Sequence, residues 1–69
     1  MCLSKVYLKK IDPESLVLEE VFRIAEDNGT ILVRSIFGEE KKLEGYSIGE
    51  VNMVDNYVIL MDAGDIKNA

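Results

Sequence analysis

Turn-forming residues break this chain at short intervals, and that spacing limits what it can fold into. They fall at Asp12-Pro13, Asn28-Gly29, Gly38-Glu39-Glu40, Gly45, Gly49 and Asp55-Asn56, with apolar-rich runs of strand length between them. The pattern predicts an all-β meander. In the first run, Leu3 to Lys9, alternation puts Val6 and Leu8 on one face with Cys2 and Ser4, and Lys5 and Lys9 on the other with Leu3 and Tyr7. The run from Thr30 to Phe37 is rich in β-branched residues and follows an Asn-Gly pair that favours a type I′ hairpin turn. Glu50 to Asp55 and Tyr57 to Met61 read as a final hairpin around Asn56, with Val51 and Met53 on one face and Met53 and Met61 in the core. The tail from Asp62 to Ala69 reads as frayed.

Asp12 to Gly29 supports two readings. Asp12 can cap a helix, Pro13 suits its first position, Gly29 can end it, and Val17, Val21, Ile24 and Ala25 then form an apolar stripe. As a strand, Leu16, Leu18, Phe22 and Ile24 share a parity, with a bulge or loop at Glu19-Glu20. Local pattern leans slightly to the helix, which by itself suggests an α+β domain.

Length confines the chain to one domain: 69 residues leave no room for a catalytic domain beside a regulatory one. A chain of this size buries only about 60% of its unfolded surface and usually needs a staple. Its single cysteine, Cys2, cannot form an internal disulfide. A partner subunit is one remaining stabiliser, and 48% hydrophobic residues with 7% aromatics suit a homodimer.

Cys2 is also the first candidate for function, because the chain has no histidine and soft-ligand chemistry is confined to this position. If the initiator Met1 is removed, Cys2 carries a free α-amine beside its thiol, and the two can close a five-membered chelate ring on a metal. Thiolates suit later first-row metals, and square-planar nitrogen-rich sites suit Ni(II) or Cu(II). If Met1 stays, the amine is a peptide nitrogen and the donors are thiolate and amide. The competing reading of Cys2 is a small packed hydrophobe.

Other chemistry finds little support. The net charge of −5 repels phosphate backbones. Glu19-Glu20 and Glu39-Glu40 are more naturally solvated charges than an acid–base pair, and neither Ser4 nor Ser15 has a histidine to activate it. No enzyme is expected. No run approaches the roughly 18 apolar residues of a membrane span, no signal peptide is evident, and a lone thiol points to a reducing cytoplasm. A rival reading is RNA binding by a small barrel, with Lys5, Lys9, Lys10 and Tyr7 near one strand and Arg23 and Arg34 beside them. A third is a docking module that uses the acidic segment from Glu39 to Glu44.

Five segments, taken together and in this order, resemble the CooT family over roughly residues 1 to 62. They are the opening Met1 to Leu8, Leu16 to Val21, the Phe37-Gly38-Glu39-Glu40 turn continuing to Gly45, Ile48 to Val51, and Val58 to Leu60. The family's named member is a nickel-binding accessory protein of carbon monoxide dehydrogenase maturation, and many relatives are labelled as RNA-binding. The resemblance implies a small antiparallel β-barrel of about six short strands that forms a homodimer and binds Ni(II) through Cys2. It assigns Leu16 to Glu26 mainly to strand.

Overall fold

The computed structural model describes residues 3–66, with side chains through residue 64. Six strands carry almost all of it: β1 (Ser4–Leu8), β2 (Leu16–Asp27), β3 (Thr30–Ser35), β4 (Glu40–Glu44), β5 (Tyr46–Asn52) and β6 (Tyr57–Asp62). The all-β architecture and the strand count are as the sequence predicts.

Helix-start signals at Asp12-Pro13 are used, but for one turn only. The Asp12 Oδ1 accepts from the Glu14 amide at 2.9 Å over a 3-10 turn, Pro13–Ser15, and Leu16 is already extended. From there β2 runs through the whole ambiguous segment, because pairing with β1 and β3 outweighs local helix preference. The expected bulge at Glu19-Glu20 is present: Ser4 faces Val21 while Val6 faces Leu18, and Glu20 has φ +54. One consequence differs from the parity reading. The bulge turns Val21 into the core and leaves Phe22 exposed, and a second register shift lets Arg23 face Arg34 directly. At Asn28-Gly29, φ values of +52 and +82 join Asp27 to paired Thr30 through a two-residue loop, as the sequence predicts.

Strand order is β4-β3-β2-β1-β6-β5, so the first four strands form a meander and the last two a hairpin on its other side. Two details depart from a fully antiparallel barrel. β1 and β6 are parallel, with Lys5 facing Tyr57 and Leu8 facing Leu60. The sheet is not closed, since β4 and β5 are its two edges. The chain passes from one edge to the other at Gly45. Gly29 accepts from the amides of Gly45 (2.7 Å) and Tyr46 (3.2 Å), while Gly45 accepts from Ala63 at 2.9 Å. This curls the sheet around Val6, Leu18, Val21, Ile31, Val33, Val58 and Leu60. Each of these side chains contributes roughly 1.5–3 kcal/mol through burial.

The final hairpin differs from expectation. Strand β5 ends at Asn52, whose Oδ1 accepts from the amides of Val54 (3.0 Å) and Asp55 (2.7 Å). That side-chain bond draws residues 53–56 into a turn, so Met53 does not share a strand face with Val51 and is not core. Met61, by contrast, is half-buried in β6. After Asp62, one helical turn, Ala63–Ile66, stands where a frayed tail is expected.

Candidate functional site

Cys2, the sequence-predicted metal ligand, lies outside the described residues, as does Met1. The structure does define the row of the sheet at which β1 begins, which crosses the middle of β2. There Ser4 faces Val21, and Val21 faces Ser35 on its other side. The Lys5 amide donates to the Asn56 carbonyl at 3.1 Å, which sets the β5–β6 turn beside the start of β1. The row therefore runs from the 53–56 turn across Ser4 and Val21 to Ser35.

Three of its members, Val21, Ser35 and the turn, carry or adjoin exposed apolar residues. Phe22 follows Val21, Ile36 and Phe37 follow Ser35, and Met53 and Val54 sit in the turn. Ser35 builds its corner from a buried position: its Oγ accepts from the amides of Phe37 (3.1 Å) and Glu39 (3.3 Å). Sequence reasoning passed over Ser35 and Asn52, although a serine or asparagine ahead of a turn is the available signal.

Beside the turn, the Tyr57 hydroxyl donates to Glu50 Oε2 at 2.8 Å and accepts from Asn52 Nδ2 at 3.4 Å. The bond to the Glu50 carboxylate holds the Tyr57 pKa above its ordinary value, because it favours the protonated phenol. Among the described residues, no group of three or more His, Cys, Asp or Glu is placed to hold a metal ion. An open groove lined by Leu16, Leu18, Glu19, Glu20, Phe37 and Glu39 runs along the outer edge of β2.

The cations offered for RNA recognition do not converge. Lys9 lies 3.0 Å from Asp62 and Lys10 3.9 Å from Asp12, both beyond the far end of β1. Arg23 and Arg34 face one another past its start, where Arg34 is 3.5 Å from Glu40. No helix among the described residues is long and apolar enough to cross a membrane.

The family described as CO dehydrogenase accessory protein CooT matches residues 1–61. The chain belongs to the CooT family. A crystal structure assigned as CooT from Carboxydothermus hydrogenoformans is similar in fold and sequence, with TM-score 0.74 and 26% identity over 88% of this chain and 97% of that one. No curated protein matches. Membership in the CooT family agrees with the resemblance read from the sequence, and the family's description is of an accessory protein rather than a catalyst.

Proposed function

We propose that this CooT-family chain is a Ni(II)-binding accessory protein that takes up nickel through Cys2 at a homodimer interface in the cytoplasm. It then passes the metal to a maturing nickel enzyme such as carbon monoxide dehydrogenase. The observation that carries this reading is the family match over residues 1–61, a span that includes Cys2, the only thiol of a chain without histidine. Nickel is cargo here. A thiolate is the soft donor suited to it, and nitrogens of the chain terminus or its first amides complete a planar set. One chain brings a single thiolate, so two chains are needed for a two-thiolate site. A lone thiol in a reducing compartment stays available as a ligand.

Native mass spectrometry with Ni(II), on protein whose N-terminus has been verified, tests this reading. One nickel per two chains is expected, lost in Cys2→Ala while the dimer persists. An intact, Met-processed dimer that takes up no nickel would overturn it.

A further inference from the structure

We infer that the bare flank of β2 at residues 16–19 is a docking site, where an extended, positively charged peptide segment of another protein adds as a further strand. β2 is twelve residues long, and its two neighbours overlap little along it. β1 pairs with its first half, Leu16 to Val21, and β3 with its second, Val21 to Asp27. No described strand lies along the other flank of residues 16–19. A strand paired on one side only still turns backbone N–H and C=O groups to the other, where they are a template for a further strand.

The Ser35 corner causes this gap. Carried straight on, antiparallel β3 would run beside residues 16–19, but Ser35 Oγ accepts from the Phe37 and Glu39 amides, and the Ile36 amide donates to the Glu20 carbonyl at 3.0 Å. Beyond that bond the chain turns away into β4, and a groove opens between β2 and the corner. The two edges of the sheet are guarded by comparison. β4 carries Glu40, Lys41, Lys42 and Glu44, charges that discourage strand addition. At the β5 edge the Ile48 amide donates to Glu26 Oε1 at 3.2 Å and the Tyr46 amide to the Gly29 carbonyl. The flank at residues 16–19 instead begins with three apolar residues, Leu16, Val17 and Leu18.

The chemistry of the groove selects the occupant. Phe37, 71% exposed, and the apolar start of β2 offer contacts to aliphatic side chains. Glu19, Glu20 and Glu39 line the same groove against one cation, Lys41, in a chain of net charge −5. Such a groove attracts a segment bearing lysine or arginine and disfavours an acidic one, a second copy of this chain included. Four extended residues span about 13 Å, so the segment recognised is short. The inference stands apart from the nickel reading.

Two-dimensional amide NMR on the full chain tests this, with a synthetic capped peptide of alternating lysine and valine as probe and its glutamate–valine counterpart as control. The lysine–valine peptide should shift the amide signals of Val17, Leu18, Glu19 and Phe37 and slow hydrogen exchange along residues 17–19. Its counterpart should leave them in place. Glu19→Lys/Glu39→Lys should weaken binding by about tenfold or more with the remaining signals retained. Should that variant fail to fold, added salt on the unaltered protein gives an independent reading, since affinity should fall as the charges are screened. Equal binding of the two peptides, an affinity indifferent to salt, shifts confined to other residues, or no shift at millimolar peptide overturns the proposal. So does exchange at residues 17–19 that slows with protein concentration alone, because a second copy then occupies the flank.

Discussion

Lys5 and Asn56 are joined main chain to main chain, the Lys5 amide donating to the Asn56 carbonyl at 3.1 Å. A turn some fifty positions downstream is thus fastened beside the start of β1. Whatever shapes that turn bears on how β1 is held at its start.

Asn52 is the residue that shapes it. Its side-chain oxygen holds two amides of the turn and its nitrogen reaches the Tyr57 hydroxyl. Asn52→Ala should cost about 1–2 kcal/mol in urea unfolding, with faster amide exchange at Val54 and Asp55 and little change in the core. Unchanged exchange at those two amides would deny the side chain this role.

Gly49 lies against Met61. A Cβ built at position 49 would collide with Met61 Cγ and come within 3.3 Å of the Ile59 carbonyl oxygen. Gly49→Ala should therefore destabilise the fold by roughly 1–3 kcal/mol. Adding Met61→Ala should recover part of that loss, giving a non-additive cycle. Strict additivity of the two changes would show that they do not touch.

The Tyr57 phenol supplies a pH dependence with a definite sign. Its pKa is raised above 10.0 in the folded state by donation to Glu50. The stability it contributes is fully present below the unfolded phenol's pKa and is lost as pH rises through the higher folded value. Tyr57→Phe should flatten the decline in stability at alkaline pH, and the phenolate absorbance of the unaltered protein should include one tyrosine that ionises late. Identical alkaline limbs in the two proteins would count against the Glu50 bond.

Nickel uptake through Cys2 should also depend on pH, in the opposite sense. Thiols ionise near about 8.5 in the absence of perturbation and must lose their proton to bind metal. Below that range, affinity should fall by up to roughly a hundredfold per pH unit if two thiolates share the ion, and by about tenfold if one does. Calorimetric titration across neutral pH separates the two cases. An affinity independent of pH would rule out the thiolate as ligand.

Much of the fold is legible in the sequence wherever a local signal decides it. Asn28-Gly29 specifies its turn by backbone conformation alone, and Glu19-Glu20 marks a bulge because two charged residues interrupt an apolar face. What is not legible depends on a partner distant in the chain. Nothing near Leu3 to Lys9 says that β6 will lie alongside in parallel. Asp12-Pro13 announces a helix, but strand pairing overrides it after one turn. Phe22 looks like a core residue until the bulge rotates it outward, and Met53 looks like one until Asn52 captures the turn. For the candidate site the division is similar. Cys2 stands out by composition, being the sole thiol. The Ser35 corner does not, because it forms only once β3 lies beside β2.

The parallel pairing of β1 with β6 has a consequence for how the chain is made. Strands β1 to β4 can form in the order in which they emerge from the ribosome, each beside its predecessor. β1, however, keeps one flank bare until Tyr57–Asp62 has been synthesised, and the core residues Val58 and Leu60 arrive with that same strand. During synthesis the nascent chain therefore exposes an unpaired strand flank and a core still lacking Val58 and Leu60. The start of β1 gains its bond to Asn56 only when the last hairpin is made, so an unfinished chain holds its first strand from one side alone.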